Sequence, residues 1–147
     1  MAAMPHRAAA ALLAAAAALS GCGTAATTAS APRARRPPPA LASQPVRPGE
    51  ILVRGATSPL TRGPFAFDGS YLVRFVQYEP LGGHVDFARQ TAFVADLEHP
   101  GTPGEPAVRL FRTAAAGGRR LLPLHGRYLV DVSFGDFPFA LRFTPTR

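Results

Sequence analysis

Proline and glycine interrupt this chain so often that little room is left for long helices after residue 22. Sixteen prolines and fourteen glycines are spread through 147 residues. An interior Pro removes a helical hydrogen bond, and an interior Gly costs about 1 kcal/mol relative to Ala. From Ile51 onward the segments between these breaks are short, and they alternate apolar and polar residues with the period of a strand. In Tyr71 to Tyr78, Tyr71, Val73 and Phe75 share one face, while Leu72, Arg74, Val76 and Tyr78 share the other. Both faces are partly apolar, so the second is expected to be covered by a loop or a neighbouring edge. Tyr128 to Phe134 directs Tyr128, Val130, Val132 and Phe134 inward. Phe137 to Phe143 sets Phe137, Phe139, Leu141 and Phe143 against Pro138, Ala140 and Arg142. Gly135-Asp136 between these two reads as a two-residue type II′ hairpin turn.

Shorter candidates are Ile51 to Arg54, Phe65 to Phe67, Val85 to Leu97, Ala107 to Thr113 and Arg119 to Leu124, the last two flanking a Gly117-Gly118 turn. Val85 to Leu97 fits one strand or two halves, with an amphipathic helix over Asp86 to Leu97 as the competing pattern. The expected fold is all-β: a small antiparallel β-sandwich of seven or eight strands over residues 51–147. Within it Phe65-x-Phe67-x-Gly69-x-Tyr71-x-Val73 returns 57 residues later as Leu122-x-Leu124-x-Gly126-x-Tyr128-x-Val130. This echo predicts two similar sheet-forming halves, with Asp68-Gly69 and His125-Gly126 in equivalent turns.

The N-terminus has a different character. Met1 to Arg7 carries one Arg and gives way to the twelve apolar residues Ala8 to Leu19, too few for the roughly twenty that a spanning helix needs. That order is the pattern of a secretory signal. Leu19-Ser20-Gly21-Cys22 then resembles the lipobox of bacterial lipoproteins at all four positions. The resemblance implies a signal peptide over 1–21, cleavage before Cys22 and a lipid on its thiol, which would be held down by several acyl chains. It further implies a domain facing the periplasm or extracytoplasmic space on a cell membrane or outer membrane. Gly23, where inner-membrane lipoproteins tend to carry Asp, favours the outer one. Ordinary secretion after cleavage near Ala15 or Ala17 is the alternative.

Residues 22–50 are rich in Pro, Ala and Arg and show neither period, so they are expected to form a disordered tether. Its Arg33, Arg35 and Arg36 suggest attraction to anionic headgroups or cell-wall polymers. The formal charge is +7, and all sixteen basic residues are Arg. Much of that charge lies outside residues 51–147, and an exported chain has little access to nucleic acid, so no nucleic-acid partner is expected.

Chemistry-bearing motifs are sparse. His84, His99 and His125 with Asp68, Asp86, Asp96 and Glu98 lack tight metal-ligand spacing, and Ser70, Ser133 and Thr91 sit in no nucleophile elbow. No catalytic residues, metal or cofactor are expected. Arg109, Arg112, Arg119 and Arg120 form a candidate anion-binding patch around Gly117-Gly118. The paired Gly-x-Tyr-x-Val motifs and the terminal Phe-Ala-Leu-Arg-Phe-Thr-Pro resemble small β-sandwich or jelly-roll domains of bacterial lipoproteins and secreted enzymes. Such a resemblance implies a domain that binds or spaces rather than catalyses. The expectation is a noncatalytic membrane-anchored envelope lipoprotein that contacts another envelope protein or a cell-wall component. A carrier of small apolar ligands or lipid, with a cavity among Phe65, Phe67, Phe75, Phe93 and Phe139, is the alternative.

Overall fold

The computed structural model describes residues 35–81 and 84–146. The predicted signal segment, the lipobox residues Leu19-Ser20-Gly21-Cys22 and the first part of the predicted tether lie outside the described residues. A single helical turn, α1 (Ala40–Ser43), precedes β1 (Ile51–Gly55) and β2 (Leu60–Gln77). A second turn, α2 (Phe87–Gln90), leads into β3 (Phe93–Glu98), β4 (Pro106–Thr113), β5 (Gly117–Phe134) and β6 (Phe139–Pro145). These strands form one antiparallel six-stranded sheet in the order β1-β6-β2-β5-β3-β4.

Six strands replace the expected seven or eight because two pairs of predicted strands are continuous. β2 joins Phe65–Phe67 to the Tyr71 strand, and β5 joins Arg119–Leu124 to the Tyr128 strand, each running for 18 residues. Asp68-Gly69 and His125-Gly126 are therefore not turns. They face each other across the central ladder, where Asp68 pairs with His125, Phe65 with Tyr128 and Tyr71 with Leu122. Each residue of the β2 motif maps onto its β5 counterpart by a local two-fold relation centred on the Asp68–His125 pair. The echo records this symmetric crossing of two long strands. It extends to the whole sheet, since β6 then β1 flank β2 as β3 then β4 flank β5.

Both central glycines have positive φ, 123° at Gly69 and 111° at Gly126, a conformation that side chains bearing a Cβ rarely adopt. The tyrosine two residues later reaches back across each glycine. Tyr71 hydroxyl accepts a hydrogen bond from the Asp68 N–H at 3.4 Å, and Tyr128 hydroxyl donates to the His125 carbonyl at 2.9 Å. Gly and Tyr of the repeated motif thus act as a unit that lets a long strand bend without losing its backbone partners.

The bend closes the core. β3 and β6 have two strands between them, a separation of about 14 Å in a flat sheet at the usual strand spacing. Yet the rings of Phe93 and Phe139 lie 5.5 Å apart, and those of Phe75 on β2 and Phe111 on β4 lie 4.4 Å apart. The sheet must therefore curl until its two three-stranded halves face one another. Val73, Phe75, Phe93, Leu97, Val130, Val132, Phe139, Leu141 and Phe143 fill the space between. The alternation read from the sequence holds for Tyr71, Val73, Phe75, Tyr128, Val130 and Val132, all buried. Phe134 departs from it: a register shift between Val94 and Ala95 sets it opposite Val94 instead of on the face shared by Val132 and Ala95, and it is 46% exposed.

Three local expectations are corrected by the register. Gly135-Asp136 does join β5 to β6, but β2 lies between those strands, so the connection crosses the sheet rather than closing a hairpin. Ser58 ties it down by donating its hydroxyl to the Gly135 carbonyl at 2.9 Å. Gly117 and Gly118 belong to β5, opposite Val76 and Phe75. The turn after β4 is formed by Ala114–Ala116 instead, and β3 separates β4 from β5. Val85 to Leu97 is neither a strand throughout nor a helix throughout, because the chain makes one helical turn and then extends from Phe93.

Candidate anion-binding site

Alternation along β6 places Ala140 and Arg142 on the face turned away from the aromatic core, where water would be expected. Both are buried, Arg142 at 2% exposure. What covers them is the end of the predicted tether: α1 packs on β6 and β2, with Ala42 buried. The Arg142 guanidinium donates to the carbonyls of Leu41 (3.3 Å), Gln44 (2.6 Å) and Pro45 (3.2 Å) and to Glu50 Oε2 (2.7 Å). One planar, five-donor side chain thus gathers three backbone carbonyls and a carboxylate. Residues 40–50 accordingly belong to the folded body and not to a free leash, and no periodicity signals this because the contacts go to main-chain oxygens.

Glu50 completes the clamp. Its Oε2 also accepts the Arg47 N–H at 3.0 Å, and its Oε1 accepts the Thr144 hydroxyl at 2.9 Å. The Arg47 N–H first, then Thr144 and Arg142, hold the Glu50 carboxyl below the usual carboxylate range against the opposing cost of burial.

Beside this clamp lies an arrangement of like charges. Arg142 is directly opposite Arg74 on β2, and Arg74 is directly opposite Arg119 on β5. Directly paired residues project to the same face with Cβ atoms about 5 Å apart, and like charges so placed are destabilising. Glu50 answers Arg142 alone. None of the other eight carboxylates in the sequence pairs with Arg74 or Arg119 among the described residues, and residues 1–34 contain no Asp or Glu. Arg74 is half-buried, and its Nε is fully enclosed with no hydrogen-bond partner. The row borders a hollow of about 480 Å³ lined by Arg47, Arg74, Arg142, Glu50, Gln44 and Thr144. Two arginine charges there stand in excess of the single carboxylate.

The four arginines read from the sequence as one patch are separated by the fold. Arg109 and Arg112 lie on β4, and a bulge between Ala95 and Asp96 brings both to the face of Asp96. Arg112 approaches Asp96 at 3.9 Å. Arg120 is on the core-side face opposite Val73, and its guanidinium donates to the carbonyls of Arg109 (2.7 Å) and Leu110 (3.0 Å). It therefore closes the irregular stretch of strand β4. Arg119 alone joins Arg74 and Arg142. Sequence reading missed those two because they lie 45 and 23 positions from it, and only strand pairing brings them together.

Asp96 carries a separate consequence. It is 4% exposed, with Oδ1 lacking a hydrogen-bond partner, and faces Asp131 across the ladder. Burial pushes its carboxyl above the usual range, more than Arg112 and Arg109 pull it down. A raised folded-state pKa favours folding below the unfolded value near pH 4, and that contribution is lost as pH rises through the folded value. Asp96→Asn is thus expected to melt higher than wild type at pH 7 and to match it below about pH 4, as thermal unfolding over a pH series will show.

The remaining candidates disperse. His125 Nδ1 and Asp68 Oδ1 meet at 3.2 Å on an exposed surface. His99 stacks on Tyr128, and Glu98 accepts the Gly104 N–H. Among the described residues no three His, Cys, Asp or Glu side chains gather as a metal set, and no helix is long and apolar enough to cross a membrane. The phenylalanines Phe67, Phe75, Phe93 and Phe139 are buried against one another or their neighbours, and Phe65 is half-buried beside them. Surface hollows lie elsewhere, one of about 590 Å³ between the 35–38 segment and Arg54, Tyr78 and Pro138. No family model, curated protein or solved structure matches the chain.

Proposed function

We propose that this chain is a noncatalytic envelope lipoprotein, anchored through lipidated Cys22, whose all-β domain is an interaction module for an envelope protein or cell-wall component. The observation that carries the anchor is the order of Leu19-Ser20-Gly21-Cys22 directly after the apolar run from Ala8. Gly23 after the cysteine favours an outer membrane with the domain facing the periplasm. A binding role is supported by the outer sheet face, where charged side chains gather around a hollow. The packed aromatic core gives no support to the apolar-ligand carrier, because the rings expected to line its cavity fill the space themselves. On this reading the two halves of the curled sheet act as the two layers of a sandwich, with the binding surface outside them.

The anchor is tested by expressing the full chain in a bacterium and measuring the mass of its N-terminal peptide. A diacylglyceryl adduct on Cys22 with cleavage after Gly21 is expected, and Cys22→Ser should abolish both the adduct and that cleavage. An unmodified Cys22 behind a new terminus near Ala15 or Ala17 would instead establish ordinary secretion.

A further inference from the structure

We infer that the hollow beside the arginine row is a binding site for a phosphate-class oxyanion, held by Arg74 and Arg47, with Arg119 adding positive field from the neighbouring strand. Three observations converge on it. Arg142, Arg74 and Arg119 stand side by side across three strands, an arrangement that costs stability unless a counter-charge occupies the face. Among the described residues no carboxylate other than Glu50 supplies it: Glu50 is committed to Arg142, Asp96 pairs with Arg112, Asp68 with His125 and Asp86 with Arg89, and no ion pair reaches Arg74 or Arg119. The Arg74 Nε is enclosed yet unpartnered, so a strong donor is desolvated without an acceptor.

The division of labour among the arginines follows from their bonds. Arg142 has its nitrogens engaged by Leu41, Gln44, Pro45 and Glu50, so it contributes field rather than contact. Arg74 projects from the centre of the row into the hollow and offers the planar fork that matches phosphate oxygens. Arg47 also lines the hollow, and Arg119, paired with Arg74 but outside the lining, extends the positive field. The net excess of two positive charges in the hollow, offered through guanidinium forks, suits the tetrahedral oxygens of a phosphate, whether free or in a monoanionic headgroup diester. Its 480 Å³ accommodates more than a bare phosphate, so free phosphate and the phosphate of a lipid headgroup share the chemistry required.

The test uses the full chain, thermal unfolding and two probes at constant ionic strength: inorganic phosphate, and phosphatidylglycerol vesicles followed by co-sedimentation. Phosphate is expected to raise the melting temperature saturably, as a ligand of the native state does, while chloride at equal ionic strength does not. Arg74→Gln should weaken phosphate binding by about tenfold or more, the loss expected for a charge-assisted pair. Arg119→Gln should weaken it less, and Arg127→Gln, on the same strand but outside the row, should leave it unchanged. Without phosphate, Arg74→Gln should melt no lower than wild type, since it relieves the like-charge row; this separates lost binding from lost folding. Saturable phosphate binding identifies a free-phosphate site. Vesicle binding that needs Arg74 without a phosphate response identifies a headgroup site. The inference is overturned if neither probe binds wild type, or if Arg74→Gln and wild type respond to both alike.

Discussion

Replacing Arg142 by Met is expected to destabilise the domain by about 3–5 kcal/mol, the usual cost of removing one partner from a buried ion pair. Domain stabilities are only about 5–15 kcal/mol, so the melting temperature should fall by roughly 20 °C. The loss exceeds that of an ordinary surface arginine because four acceptors lose their donor together: the carbonyls of Leu41, Gln44 and Pro45 and the carboxylate of Glu50. Arg142→Lys should recover little, since an ammonium with three donors cannot span acceptors arranged around a planar guanidinium. Hydrogen exchange would locate the damage, with the amides of Ala42, Ser43 and Gln44 losing protection before those of β2 and β5. A loss below about 1 kcal/mol with those amides still protected would mean that Ala42 packing, not Arg142, holds the segment.

Acid should act through the same clamp. The Glu50 carboxyl is held below its usual range in the folded protein. Its stabilising contribution is therefore present above the unfolded value near pH 4 and is lost as pH falls through the folded value. Wild type should lose stability on that descent, whereas Arg142→Met, which keeps the Arg47 N–H and Thr144 bonds to Glu50 but lacks the guanidinium, should lose somewhat less. This is opposite in sign to the behaviour expected of Asp96, so the two carboxylates can be told apart in one pH series.

The second large effect is expected at Phe93. Phe93→Ala should cost about 3–5 kcal/mol, the range for removing a buried aromatic ring. Phe93 is fully buried, stacks on Phe75 at 4.5 Å and contacts Phe139, so it touches both halves of the curled sheet. Deleting it opens a cavity at the place where the curl is held. Phe134→Ala, one strand away, should change stability by less than about 0.5 kcal/mol, as exposed positions usually do. Urea denaturation of the two variants provides the comparison. Equal losses would show that Phe134 is buried in solution and that the curled sheet closes over it.

These two phenylalanines mark the limit of what alternation can tell. A period of two separates the faces of a strand, so Tyr71, Val73, Phe75, Val130, Val132, Phe139 and Leu141 were legible as core. Alternation does not report bulges, and the register shift between Val94 and Ala95 takes Phe134 out of the inward row that Val130 and Val132 begin. Strand ends were similarly obscured. Glycine at 69 and 126 looked like punctuation, whereas positive φ inside a long paired strand serves to bend it. The 57-residue echo was visible, but its meaning as a two-fold crossing required the register that pairs Asp68 with His125.

For the candidate site the divide is sharper. Arg119 was marked by its position among other arginines, yet Arg112 pairs with Asp96, Arg120 donates to backbone carbonyls, and Arg109 lies opposite Asp96 on another face of the fold. Arg74 and Arg142 looked like ordinary outward residues of amphipathic strands. Local composition by itself determined that the body is all-β, which side chains alternate, and that its charge is carried by arginine. Only tertiary structure decided that three arginines from β2, β5 and β6 share one row and that residues 40–50 fold over its end. The physical reason is that strand faces are set by neighbours in the chain, while like-charge rows and carbonyl clamps are set by pairing between residues up to about a hundred positions apart.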